Sequence, residues 1–334
     1  EAAVEGITLL KNESDILPID PAERIFVTGP TAHSLVHLNG AWSRTWQGAD
    51  TVIGKEGRPS VLEAMRASNP DLIYLEGSSV EEVGDLDRVR SEAKVASVIV
   101  LCLGETPATE KPGDRRDLTI SDAQLALANA VLDLGKPVVV VLLQDRPQIV
   151  ASIADRCAAV VMGYRPGNEG GRALADLLFG KRNFSGRLPF TYPSSVNDLM
   201  TYDHKFAETI GPDWGPTGFQ PQWEFGYGLS YTRFEYEGLS LNKMAYSIDD
   251  TIQVSMHVKN VGGRDGNEVV QVYVRDEIAS ITPSVKRLRD FKKIGLQAGE
   301  EEEMHFSIPV RALAFVGLDN AWTTEPGWFT LKVG

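Results

Sequence analysis

The sequence predicts an α/β domain, a mostly parallel open sheet with flanking helices, followed by an all-β sandwich. Three observations carry that prediction. Up to about residue 180, short β-branched runs alternate with stretches of helical hydrophobic spacing, the pattern of strands and crossover helices. Near residue 184 the alternation stops, and Gly, Pro, Asp and aromatic residues dominate until about residue 232. From residue 234 onward only strand signals remain. A chain of 334 residues also exceeds the roughly 250–300 residues that one core supports, so two folded units are expected. The expected division is 1–200 for the α/β domain, 201–233 for an ordered connector and 234–334 for the sandwich.

Taken in order, Glu1-Ala-Ala-Val-Glu5 reads as a helix already under way, so a preceding segment is expected. Strands are expected at 24–29, 71–75, 97–103, 137–143 and 158–163, with helices at 60–67, 121–134, 147–154 and 170–179. Ser121-Asp-Ala-Gln124 has the form of a capping box at a helix start. The connector carries Gly211-Pro-Asp-Trp-Gly-Pro216 and Phe225-Gly-Tyr-Gly228. In the tail, strands are expected at 251–259, 268–275, 289–295, 302–308 and 328–333, separated by turn residues such as Val261-Gly-Gly263 and Ala298-Gly299. Trp322 and Trp328 are expected to pack in a sandwich whose role is structural.

Composition narrows the function. No apolar run reaches the 18 or so residues of a membrane span. A net charge of -13 without a Lys/Arg stripe argues against nucleic acid as a partner. Cys102 and Cys157, far apart in or beside apolar runs, read as two small buried residues rather than a disulfide framework. His33, His37, His204, His257 and His305 are scattered, and the i,i+4 pair His33/His37 lacks the glutamate of a zinc-binding helix, so no metal site is expected. The glycines of Gly167-Asn-Glu-Gly-Gly171 do not have phosphate-loop spacing, and no cofactor is expected.

In an open α/β sheet the ligand crevice lies beyond the carboxyl ends of the strands. Three stretches follow predicted strands. Asn39-Gly-Ala-Trp-Ser-Arg-Thr-Trp-Gln-Gly48 offers Trp42 and Trp46, whose flat faces could stack on a sugar ring. The charged loop 104–118 carries Glu105 and Glu110 among Pro107, Pro112 and Gly113. Tyr164-Arg-Pro-Gly-Asn-Glu-Gly-Gly171 has the look of a strand-to-helix turn. Glycoside hydrolysis requires two carboxyl groups flanking the bond, and Glu105 and Glu110 are the loop's candidates. From spacing alone, either glutamate reads first as an ordinary solvated carboxylate, and each tryptophan first as a cap on the core.

A set of motifs in order resembles glycoside hydrolase family 3: Glu5-Gly-Ile-Thr-Leu-Leu-Lys-Asn12, Gly40-Ala-Trp-Ser-Arg-Thr-Trp-Gln-Gly48, Gly104-Glu105, Thr109-Glu-Lys-Pro-Gly-Asp114, Arg146-Pro147, Pro166-Gly-Asn-Glu-Gly-Gly171, Gly186-Arg-Leu-Pro189 and Phe225-Gly-Tyr-Gly-Leu-Ser-Tyr231. The tail, with Gly266-Asn-Glu-Val-Val-Gln-Val-Tyr273 and Leu288-Arg-Asp-Phe-Lys-Lys293, is similar to the fibronectin type III-like domain that many members carry. The resemblance implies a retaining β-glucosidase or β-glucan exo-hydrolase that removes terminal β-D-glucosyl residues from β-glucosides or gluco-oligosaccharides. It implies an aspartate nucleophile in an N-terminal barrel outside this chain, Glu110 as the general acid/base, and Trp42, Trp46 and Glu105 as substrate-binding residues. Asp213, in Pro212-Asp-Trp214, stands out of family order and is not assigned as nucleophile. Ala41, Ala108 and Asp145 depart from the commonest family residues, which bears on subsites but not on Glu110. The implied partners are the sugar substrate and the barrel of the same protein. A homo-oligomer is left open, and the implied location is periplasmic or secreted. The chain alone is expected to be incomplete and inactive. The rival reading is a non-catalytic carbohydrate-binding or domain-packing fragment, and within the family a β-xylosidase or N-acetylglucosaminidase.

Overall fold

The apolar runs of the first unit become strands whose side chains are covered on both faces. The computed structural model describes the chain except residues 44, 49–56, 197, 199 and 206–218. The motif at 211–216, with Asp213, therefore lies outside the described residues. The first unit comprises Glu1–Leu188 with the returning segments Tyr192–Asp198 and Gln222–Leu229. Its elements are α1 (Ala2–Gly6), β1 (Thr8–Asn12), β2 (Ile25–Thr28), α2 (Val61–Arg66), β3 (Ile73–Leu75), α3 (Leu86–Ala93), β4 (Val98–Gly104), α4 (Glu110–Gly113), α5 (Asp122–Leu132), β5 (Val138–Leu143), α6 (Ala151–Ala154), β6 (Ala159–Met162) and α7 (Gly170–Leu178).

These strands form one six-stranded sheet in the order β1-β6-β5-β4-β2-β3. β1 is antiparallel to β6 and the other pairs are parallel. Every residue of β4 and β5 is buried, as a sheet covered by helices on both faces requires. The chain leaves β2 for β3 on one side, then places β4, β5 and β6 on the other. A switch point therefore lies between β2 and β4, where connections diverge and leave a crevice. Gly29 closes β2 at φ 108°, and a Cβ there would meet the carbonyl oxygen of Cys102 at 2.1 Å.

The strands and most helices expected in this unit are present within one or two residues of their expected ends. The expected helix at 147–154 contracts to α6, four residues preceded by Pro147 in non-helical backbone. The capping box at Ser121 is half formed. Ser121 Oγ accepts from Gln124 N, but the Gln124 amide side chain pairs with the backbone of Gly104, 2.9 Å to each of N and O. A complete box stands at the start of α2, between Ser60 and Glu63. Cys102 and Cys157 are free and buried, and burial pushes each thiol up to about 12.

Part of the connector belongs to the first unit. Leu229 bridges Leu9 antiparallel, its N–H donating to the Leu9 carbonyl at 2.8 Å, and Tyr227 and Gly226 pair with Leu188. This covers the outer edge of β1, a place where exposed backbone groups invite unwanted pairing.

The second unit is built mainly on Ser230–Gly334. It contains β7 (Phe234–Leu241), β8 (Thr251–Asn260), β9 (Gly266–Asp276), β10 (Arg287–Leu296), β11 (Glu301–Pro309), β12 (Phe315–Val316), β13 (Trp322–Thr323) and β14 (Phe329–Val333). Two three-stranded antiparallel sheets, β10-β9-β14 and β11-β8-β7, enclose a core that includes Val254, Met256, Val258, Val270, Val272, Phe306 and Ile308. Trp322 and Trp328 do not pack as expected: they are 74% and 78% exposed, on a two-residue strand and just before β14. Among the described residues no helix is long and apolar enough to cross a membrane.

Candidate active site

Four neighbouring strands, β2, β4, β5 and β6, send their carboxyl-end loops to one corner of the first unit. The loop after β2 carries the tryptophans. Trp42 has φ 61°, and its N–H is shared between the carbonyls of Thr45 and Trp46 at 3.1 Å each. The side chains of Trp42 and Trp46 are 65% and 47% exposed, far more than a core cap would be. After β4 the chain runs through Glu105 to the single turn α4, whose first residue is Glu110 at φ 53°. Glu110 is exposed, and among the described residues its carboxylate has no hydrogen-bond or ion-pair partner. After β5 come Gln144, Asp145 and Arg146, and after β6 come Tyr164, at φ 53°, and Arg165. Left-handed backbone is costly for residues with a Cβ and persists where the surroundings impose it, typically at functional sites. Three such residues, Trp42, Glu110 and Tyr164, follow strands of this corner.

Glu105, expected among the sugar-binding residues, is placed differently. It is 1% exposed, and both carboxylate oxygens are engaged by protein donors. Oε1 accepts from the backbone N–H groups of Asp145 and Arg146, 3.0 Å each, and Oε2 from Arg146 Nε and Nη2 at 3.1 and 2.6 Å. Burial pushes its pKa upward, but the hydrogen bonds and charge of Arg146, with the charge of Arg165, outweigh it and hold the carboxyl below its ordinary range. Glu105 thus faces inward as an ionised anchor, while Glu110 five residues on faces outward.

Two contacts join the loops. The Gln47 side-chain amide pairs with both backbone groups of Thr109: Nε2 donates to the carbonyl at 3.2 Å, and Oε1 accepts from the N–H at 3.0 Å. Gln47 is next to Trp46 and Thr109 next to Glu110, so this pairing sets the tryptophan loop against the glutamate turn across the switch point. On the other side, Arg146 Nη1 donates to the Gly113 carbonyl. Arg165 ties the floor together, donating to the carbonyls of His37 and Glu105 at 2.9 and 2.7 Å and to Asp145 at 2.8 Å. Gln47 and Arg146 lie inside motifs readable in the sequence, yet nothing local assigned them a task. Their partners are 62 and 33 residues away.

The family model for the glycosyl hydrolase family 3 C-terminal domain matches residues 7–231, and the model for the fibronectin type III-like domain matches 268–334. The chain belongs to glycosyl hydrolase family 3. A lysosomal β-glucosidase of Dictyostelium discoideum is 35% identical over 99% of this chain and 42% of its own length. A periplasmic β-glucosidase of Salmonella typhimurium is 30% identical over the whole of this chain and 48% of its own. The crystal structure of a Listeria innocua β-glucosidase in complex with glucose superposes with a TM-score of 0.89 at 32% identity, covering 99% of this chain and 47% of that one. The family 3 chain described here thus spans about half the length of the relatives it matches.

Proposed function

We propose that this chain is the C-terminal portion of a retaining β-glucosidase and that Glu110 is its general acid/base. The observation that carries the reading is the exposed carboxylate of Glu110, without a partner among the described residues, in left-handed backbone at the switch point, one residue from the Thr109 that Gln47 ties to the tryptophan loop. Relatives that match the chain end to end include β-glucosidases, which supports glucose as the sugar, and also a β-xylosidase at 32% identity, which keeps xylose as the second reading.

In the proposed cycle an aspartate of a preceding barrel domain attacks the anomeric carbon and the glycosidic C–O bond breaks. Glu110 transfers its proton to the departing oxygen. Water then attacks the glycosyl-aspartate from the side the aglycone has left, Glu110 takes a proton from it, and the sugar leaves with its configuration retained. Carboxyl groups about 5–5.5 Å apart suit this double displacement. Trp42 and Trp46 offer stacking faces for the sugar that departs, a role in keeping with their exposure beside the turn. Glu105 takes no part in binding; it holds the floor of the site. A periplasmic or secreted location accords with the Salmonella relative.

The decisive experiment is Glu110→Ala in the whole protein. Loss of proton transfer costs about 10²–10⁴-fold, so kcat/KM for an unactivated disaccharide falls by that factor, while an aryl glucoside with a good leaving group keeps its first step. Unchanged disaccharide hydrolysis would refute the assignment.

A further inference from the structure

The turn that carries Glu110 cannot hold itself. α4 is four residues long, its N-cap Thr109 makes no side-chain cap, and one backbone bond, Asp114 N to Lys111 O at 3.3 Å, closes its far end. A single helical turn in isolation is unstable, because fixing its dihedrals returns one hydrogen bond. Glu110 is moreover in a conformation that disfavours any residue with a Cβ. Its geometry is imposed from outside, and the imposing groups can be named. On the N-terminal side the Gln47 amide occupies both backbone groups of Thr109, as a neighbouring strand would. On the C-terminal side Arg146 Nη1 holds the Gly113 carbonyl, while the rest of that guanidinium is locked in a forked pair with the buried Glu105.

We infer that Gln47 and Arg146 are positioning residues for the acid/base, clamping the Glu110 turn at its two ends and making its aim depend on the tryptophan loop. The inference rests on the assignment of Glu110 given above. Glutamine suits the first post because one planar group donates and accepts at once; a glutamate could accept but not donate, and an asparagine is one methylene shorter. Arginine suits the second because its fork serves Glu105 and Gly113 together, which the single ammonium of lysine cannot do. Neither side chain has to touch substrate. Each acts by keeping Glu110 within reach of the leaving oxygen, where a displacement of about 1 Å costs on the order of 10²-fold in rate.

The test is kinetic, on the whole protein, with Gln47→Ala, Arg146→Lys and, as reference, Glu110→Ala. kcat/KM is measured for aryl β-glucosides of graded leaving-group basicity and for a β-linked glucose disaccharide, alongside amide hydrogen exchange across 108–114. The Glu110→Ala enzyme sets the slope expected when acid assistance is gone. Gln47→Ala and Arg146→Lys are expected to share the sign of that steepening. The loss is roughly 10–100-fold on the disaccharide and slight on the best leaving group, carried by kcat rather than KM. The Thr109 amide exchanges faster in Gln47→Ala. A loss equal across all leaving groups, or an unchanged slope in both variants beside a steepened Glu110→Ala, overturns the clamp. If Glu110→Ala itself leaves the slope unchanged, the acid/base assignment fails and the positioning role fails with it. Should Gln47→Ala fold poorly, the slope for Arg146→Lys, which keeps a charge opposite Glu105, decides.

Discussion

At the scale of single residues, the least expected group is His37. Its Nδ1 lies 2.7 Å from Ser34 Oγ, its buried Nε2 has no partner among the described residues, and its carbonyl receives Arg165. Burial, reinforced by the charge of Arg165, lowers its pKa from 6.5 to about 4. Between those values the unfolded chain binds a proton that the folded one refuses, so the contribution to stability is fully present above pH 6.5 and is lost as pH falls to about 4. Its size is on the order of 3 kcal/mol. Urea unfolding followed across this window is expected to show stability falling with acidification, and the fall to flatten in His37→Gln. Glu105 acts in a different window: its depressed pKa gives stability present above the unfolded carboxyl value and lost below it. The motif singles out Glu110 as the proposed acid/base, but neither its left-handed backbone nor the inward turn of Glu105 was legible in the sequence. Glutamate is not a residue one assigns to φ 53°, and the engagement of Glu105 depends on an arginine 41 residues on.

Among elements, what could be read from the sequence divides by burial. β4 and β5 announce themselves because both faces are apolar. β1 does not, since its partner β6 lies about 150 residues downstream and its antiparallel pairing with β6, from Thr8 opposite Met162 to Asn12 opposite Ala159, is what explains the strand. α3 escapes the periodic pattern because just two of its residues, Val89 and Ala93, are buried, and its start is marked instead by Asp85 accepting from Arg88 N. The packing of α7 against α2 makes a sharper claim. A Cβ on Gly171 would stand 2.2 Å from the Pro59 carbonyl oxygen and 2.7 Å from that of Ser60. Gly171→Ala gains about 1 kcal/mol in helix propensity, but the overlap forces α7 away from the N-cap of α2 at a cost of roughly 1–3 kcal/mol. The expected outcome is a net loss of stability, read as a lower denaturation midpoint at constant slope.

For the molecule as a whole, the α/β unit and the antiparallel sandwich follow from the hydrophobic pattern, and the family from motifs in series. What the pattern could not supply is how the loops are joined. A retaining reaction needs two carboxyl groups, and the proposal assigns this chain one of them. The 334-residue chain by itself is expected to release no aglycone from an aryl β-glucoside that the whole protein hydrolyses readily, and measurable turnover by the chain alone would remove the need for a barrel aspartate. The amide pairing of Gln47 with Thr109 has a consequence for ancestry as well as for rate. Two loops joined this way are inherited as one unit: an insertion or shift in either must be matched in the other, so between family members they exchange in working form as a pair and misalign when grafted singly.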